Sequence, residues 1–287
     1  MGTPNAPYSQ IEVVASSSPL GAEIRGVDVG KTLDARTIEE IHRAWLEHQV
    51  VFFRDQMLEP DQQTAFAAAI GELDTYPFIA PLPGHPHVIP VIKERGARFN
   101  FGGGWHSDTP YQATPPKATL LYARDVPARG GDTLFASLYA AYEALSPGMQ
   151  SLLEGVRGVF TADKVHGKSG YYKNADHPME MHKEAERIEE RYVHPIVRTH
   201  PETGRRALFV SAPHIERFKG MTTPESRPLL DYLAQHATKP EFTFRLDWKV
   251  GTLALWDNRC CLHYALNDYP DARREMHRVT LKGDSPA

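Results

Sequence analysis

The 287-residue chain is 41% hydrophobic and 24% charged, as expected for a folded globular protein of one large domain or two small ones. Its formal net charge of −4 lacks the basic balance of a nucleic-acid binder, and no apolar run reaches the roughly 20 residues that span a bilayer. Residues 1–14 lack the basic-then-apolar plan of a secretory leader, and two adjacent cysteines, Cys260 and Cys261, make no disulfide framework, so a reducing cytoplasmic location is expected.

Residues 34–49 place Ile38, Ile41, Trp45 and Leu46 at helical spacing, and the apolar run 50–53 follows as a buried strand. Pro60 suits the first turn of a second helix running to 73. Segment 75–104 is rich in Pro and Gly and reads as loop, broken by a short strand at 87–92. Strand-like runs recur at 118–124, 132–136, 193–199 and 206–211, with helical character over 139–156 interrupted at Pro147. Thr223 as N-cap with Pro224 behind it opens a helix to about 237. Strands are predicted at 241–248, 252–264 and 275–281; in the first, Phe242, Phe244 and Leu246 alternate with polar residues. This order predicts a mainly β fold with flanking helices, a sandwich or jelly roll. The polar stretch 163–192 reads equally as a solvated insertion or as a lid over a site.

His106-Ser107-Asp108 sets an imidazole and a carboxylate two residues apart. The spacing alone is weak, because His182/Glu184, His200/Glu202 and His214/Glu216 repeat it. What separates the first pair is its place after a glycine-rich loop, Gly102-Gly103-Gly104, together with a third donor, His263, at the end of the apolar run LALWDNRCCLH. Two imidazoles and one carboxylate form the facial set of non-haem Fe(II) oxygenases. Three positions stay open, two for a chelating keto acid and one for O2. In RREMHRVTL, alternation puts Arg274, Met276 and Arg278 on one strand face, with the two guanidiniums about 13 Å apart. They can serve two different anions, one of them the far carboxylate of a keto acid, or they can make structural salt bridges. A Zn or Mn hydrolase or isomerase using the same ligands to activate water is the main alternative, and a non-catalytic binding protein is another. His85 and His87 on their Pro/Gly loop read as surface residues.

The blocks WHSDTPYQATPPKATLLYARDVPARGGDTLFAS, HPIVRTHPETGRRALFV, LALWDNRCCLHYALNDY and RREMHRVTLKGD, with GAEIRGVDV at 21–29, resemble the taurine dioxygenase/2,4-dichlorophenoxyacetate dioxygenase family over nearly the whole chain. The resemblance implies one domain with a double-stranded β-helix (jelly-roll) core, and hydroxylation dependent on Fe(II), 2-oxoglutarate and O2 that releases succinate and CO2. On this resemblance His106, Asp108 and His263 fall on the iron ligands, Thr133 and Arg274 on the 2-oxoglutarate contacts, and Arg278 on the arginine that holds an anionic substrate. Asp108 speaks against a halogenase. Tyr76 stands where the taurine enzyme has a histidine, Tyr111 where it has Phe, and His214 on another wall position. These departures point away from taurine toward a larger, partly polar or aromatic small-molecule acid, whose hydroxylation can lead on to cleavage of a carbon–heteroatom bond. A homo-oligomer is also expected, since relatives are often dimers or tetramers.

Overall fold

A computed structural model describes residues 7–76, 78–166 and 190–287. The first half of the chain gives β1 (Glu12–Ala15), β2 (Ala22–Arg25), α1 (Ala35–His48), β3 (Val50–Phe53), α2 (Pro60–Ile70), β4 (Ile89–Lys93), β5 (Ala118–Asp125) and β6 (Thr133–Ser137). Then come α3 (Leu138–Glu143), α4 (Pro147–Leu153), β7 (Arg157–Thr161), α5 (Asp163–His166), β8 (Arg191–Pro195), β9 (Val197–Thr199), β10 (Arg206–Leu208) and β11 (Ile215–Phe218). The chain closes with α6 (Thr223–Ala237), β12 (Thr243–Leu246), β13 (Leu253–Asp257), β14 (Cys261–Ala265) and β15 (Arg274–Leu281). None of the described helices is long and apolar enough to cross a membrane.

A seven-stranded sheet in the order β1-β2-β3-β13-β5-β15-β4 forms the larger layer, antiparallel except for β2 against β3. Alternation sorts its side chains. Leu253 and Leu255 of β13, Leu120 and Tyr122 of β5, and Val279 and Leu281 of β15 point to one face. There they pack with Ile41, Ala44 and Trp45 of α1 and with Phe66, Ala67 and Ile70 of α2. Ala254 and Trp256, Leu121 and Ala123, and Met276 occupy the opposite face, packed with Phe135, Ala136 and Leu262 of the three-stranded sheet β12-β6-β14. Arg274 and Arg278 share the face of Met276, so the functional side chains line the space between two sheets. This is the mainly β, helix-flanked jelly-roll arrangement that the sequence predicts.

Local chemistry sets the element ends. Asp34 caps α1 by accepting from the Thr37 amide, and Gln49 stops that helix at φ 63° with its N–H on the Trp45 carbonyl. A capping box between Glu59 and Gln62 starts α2 with Pro60 in its first turn, and the helix ends at Ile70, three residues short of the predicted end. The α6 cap is Thr222, not Thr223: only Thr222 has a glutamate, Glu225, three residues on, and the two close a capping box. The predicted strand at 252–264 is in fact two strands, β13 in the large sheet and β14 in the small one. The turn between them is enforced by Asp257, whose side chain accepts from the backbone N–H of Arg259. The strand expected at 87–92 sits at Ile89–Lys93, and β1, β2, β7 and β11 were not predicted. Most of the candidate lid, residues 167–189, lies outside the described residues.

That turn is clamped by a buried ionic cluster. Arg259 reaches Asp257 with Nε (2.8 Å) and Nη2 (2.6 Å), His200 Nε2 donates to Asp257 (3.0 Å), and Glu202 accepts from Arg259. With Asp257 and Arg259 both excluded from water, Arg259→Met should leave the buried Asp257 carboxylate without its guanidinium, with only His200 and a backbone N–H to answer it. We expect a loss of about 3–5 kcal/mol in urea-induced unfolding, and a change under about 1 kcal/mol would show that the pair does not hold the turn.

Candidate active site

His106 and Asp108 lie on the loop entering β5, and His263 lies in β14. The segments meet as an isolated antiparallel bridge: His106 N–H donates to the His263 carbonyl (3.0 Å) and His263 N–H to the His106 carbonyl (2.8 Å). The two imidazoles are thus fixed 4.1 Å apart, centroid to centroid. One ligand atom from each of His106, Asp108 and His263 falls within 4.8 Å of the others, a spacing one metal ion can bridge.

The orientation of each donor has a cause. His106 Nδ1–H donates to the Gly104 carbonyl (2.7 Å), leaving Nε2 as the free lone pair. Gly102, at φ +80°, passes so close that a Cβ would stand 3.2 Å from His106 Cε1, which is why a glycine stands there. The His263 ring is wedged beside Trp256, with centroids 4.8 Å apart, and Phe135. Asp108 directs Oδ1 toward His263 Nε2 (3.7 Å) and Arg278 Nη2 (3.2 Å), while Oδ2 accepts from Thr119 Oγ1 (2.6 Å). Thr109, next in the chain, is β-branched yet sits at φ 39°, a strained conformation beside the ligand.

Charge is arranged for metal binding. Burial opposes ionisation of Asp108, but the Arg278 guanidinium, helped by the Thr119 hydrogen bond, holds its carboxyl well below the usual range. Burial, reinforced by His106 and Arg278, pushes His263 down to about 3, and burial also lowers His106. Two neutral imidazoles facing one carboxylate are the protonation states that coordination requires.

Two cavities meet at this cluster and share Phe101, Gly102, His106 and Asp108 as walls. The wider one, about 320 Å³, is bounded by Tyr76, Tyr111 and His214, with Lys164 and Arg227 at another part of its wall. Tyr76, Tyr111 and His214 therefore come together as predicted. His214 Nδ1 is 3.0 Å from Ser211 Oγ, and its ring is 5.1 Å from that of Tyr111. The narrower cavity leads past His263 to Thr133, Arg274 and Arg278. Thr133 Oγ1 accepts from Trp248 Nε1 (2.9 Å), so its hydroxyl proton is free to donate elsewhere.

Arg274 is the informative residue. It is 5% exposed, its Nε and Nη2 have no hydrogen-bond partner among the described residues, and the Trp248 ring lies 5.7 Å from its guanidinium carbon. Burial lowers its pKa against the pull of Tyr269 and Asp132. A buried cation with unmet donors, beside a hydroxyl and in a cavity opening on the metal ligands, fits the far carboxylate of a keto acid. The structural-salt-bridge alternative does not describe Arg274 among the described residues, but it holds in part for Arg278, whose Nη2 lies 3.2 Å from Asp108 Oδ1; the neighbouring Arg273 pairs with Glu94, Asp125 and Glu275. Arg278 stands 4.7 Å over the Tyr76 ring and near Asp108, with Nε and Nη2 lacking hydrogen-bond geometry to any partner. A hydrolase that merely activates water leaves Arg274 without a task.

The competing His-x-Glu pairs separate here. His200 belongs to the Asp257–Arg259 clamp; it, Asp257 and Cys260 are close enough to ligate a metal, but the Arg259 guanidinium already occupies both carboxylate oxygens. His214 joins the cavity wall without Glu216, which pairs with Arg191, and His182 lies outside the described residues. His85 pairs with Asp61 and His87 bonds the Asp74 carbonyl, both away from the ligands. Thr119, Lys164 and Arg227, in β5, α5 and α6, and Trp248, on the loop after β12, are not singled out by the sequence, and only the three-dimensional placement reveals them.

The family profile described as "Taurine catabolism dioxygenase TauD, TfdA family" matches residues 12–280. The chain is 35% identical to an alpha-ketoglutarate-dependent sulfate ester dioxygenase of Pseudomonas putida, over 98% of this chain and 93% of the relative. It is 36% identical to an alpha-ketoglutarate-dependent 2,4-dichlorophenoxyacetate dioxygenase of Cupriavidus pinatubonensis, over 92% and 95%. A crystal structure of a taurine dioxygenase from Burkholderia xenovorans superposes with a TM-score of 0.82 at 37% identity, covering 97% of this chain and 93% of that one. With its ligand cluster, its unsatisfied buried arginine and these likenesses, the chain belongs to the TauD/TfdA family and is an Fe(II)- and 2-oxoglutarate-dependent dioxygenase acting on a small molecule.

Proposed function

We propose that His106, Asp108 and His263 hold the iron, that Arg274 and Thr133 bind the far carboxylate of 2-oxoglutarate, and that Arg278 binds the anionic group of the substrate. The observation that carries this reading is the pair of cavities joined at the ligands, with an unmatched buried guanidinium in the narrow one and an aromatic wall on the wide one. When bound, iron and 2-oxoglutarate supply the oxidative chemistry: one O2, one 2-oxoglutarate and one substrate give succinate, CO2 and the hydroxylated substrate, one oxygen atom going to each of the succinate and the substrate.

The protein's own groups position and exclude. Arg274 and Thr133 set the depth of the keto acid. Arg278, on the wall of the narrower cavity and 4.7 Å over the Tyr76 ring that bounds the wider one, draws the anion of the substrate toward the ligands, while Tyr76, Tyr111 and His214 pack its body. A sulfate ester, a sulfonate or an aryloxy acid suits this combination of one cation with an aromatic, partly polar wall. The sulfate ester and aryloxyacetate activities of the two relatives support the same choice. Where the hydroxylated carbon bears an oxygen substituent, the product collapses to a carbonyl compound and releases sulfate or a phenol. A cytoplasmic location, consistent with two free buried thiols, a single-domain organisation and homo-oligomer formation complete the proposal.

Oxygen uptake and succinate formation, measured with alkyl sulfates, sulfonates and aryloxyalkanoates in turn, test it. Stimulation by one class names the substrate, and stimulation only by uncharged compounds would remove the anion-binding role of Arg278. Asp108→Ala should weaken iron binding by more than the about 10–100-fold that outer hydrogen-bond partners are worth, read by chelator competition. Arg274→Ala should weaken 2-oxoglutarate binding by about 2–5 kcal/mol in calorimetry, whereas unchanged affinity would place the carboxylate elsewhere. Arg278→Ala at saturating iron should raise substrate KM while leaving substrate-independent 2-oxoglutarate turnover in place.

A further inference from the structure

Behind Asp108 runs a buried hydrogen-bond chain whose direction is set by chemistry. Trp256 Nε1 can only donate, and it donates to Asn258 Oδ1 (2.9 Å). That contact fixes the amide, turning Nδ2 toward Thr119 Oγ1 (3.0 Å). Having accepted there, the Thr119 hydroxyl has its single proton for Asp108 Oδ2 (2.6 Å). Thr119 is 0% exposed, Asn258 and Trp256 2%, and Asp108 4%, so water does not substitute for any link.

The chain is also held in place from behind. Thr119 in β5 pairs with Trp256 of β13 and with Thr280 of β15. Asn258 sits in the turn clamped by Asp257 and Arg259, and its backbone N–H donates to the Lys117 carbonyl (2.9 Å). The carboxylate thus has one oxygen tied inward by a rigid donor and one, Oδ1, turned to His263.

We propose that Thr119, oriented by Asn258 and Trp256, is a positioning residue of the metal centre. By engaging Oδ2 it makes Asp108 present Oδ1 alone, and the coordination position that a two-oxygen carboxylate would take stays open for 2-oxoglutarate and O2. This rests on the assignment of Asp108 as a ligand.

The test is Co(II) binding to the metal-free protein, read as affinity by chelator competition and as the ligand-field spectrum, which reports coordination number. Thr119→Val keeps the shape and removes the donor; it should weaken affinity by about 10–100-fold and change the spectrum toward a higher-coordinate form. Thr119→Ser should restore both. Trp256→Phe, which leaves Thr119 intact and frees the Asn258 amide to turn, should give a smaller loss of the same sign, and it serves should Thr119→Val fold poorly. Wild-type affinity and spectrum in folded Thr119→Val, with binding lost in Asp108→Ala, would overturn the positioning role and leave the ligand assignment standing. Undiminished binding in Asp108→Ala would instead sink the ligand assignment itself.

Discussion

Two backbone hydrogen bonds between His106 and His263 hold this active site together. They join residues far apart in sequence, one on a loop and one in the small sheet, into a two-residue ladder. A ladder of that kind fixes Cα separation and side-chain direction together, so both imidazoles inherit their aim from the backbone rather than from flexible packing. The glycine-rich loop before His106 exists to bring the chain down onto β14, and the strained Thr109 marks where it must turn away again.

The same interior treats its buried charges in two ways. Around Asp257 every charge is answered: Arg259, His200 and Glu202 close a cluster that fixes a turn and asks for nothing else. Between the sheets Arg274 is left with unmet donors, and Arg278 is close to Asp108 without good hydrogen-bond geometry. Unmet buried donors are costly in a protein interior, and those of Arg274 face a cavity that a ligand can fill. One turn links the two regimes, for the clamp at Asp257 and Arg259 also delivers Asn258 toward the carboxylate of Asp108.

Much of this was readable from residues alone. The His-x-Asp pair, the distant His263 and the arginines on one strand face follow from donor chemistry and alternation, and the resemblance then separates them from look-alikes such as His200 and Glu202. The break between β13 and β14 falls at the polar run Asp257-Asn258-Arg259, a turn signal that the apolar residues flanking it on both sides overshadow. The cap of α6 could have been placed correctly, since only Thr222 has Glu225 at the right spacing. β1 and β2 are only four residues each, and β1, at the sheet edge, shows no alternation to betray it. The orienting role of Thr119 is invisible in sequence: a threonine in a strand is ordinary, and its meaning comes from the strand pairing that sets it beside Trp256.

Strand β15 acts as a ruler. Its pairing with β4 and β5 sets Arg274 opposite Lys93 and Arg278 opposite Ile89 and Leu121. A slip of one residue would turn both guanidiniums out of the inter-sheet space and bring Glu275 and His277 in. Evolution can therefore vary the loops that carry Tyr76, Tyr111 and His214 almost freely, but it cannot insert or delete a residue within this strand. Diversification of substrates on this scaffold has to proceed by reshaping walls around two guanidiniums whose separation is frozen.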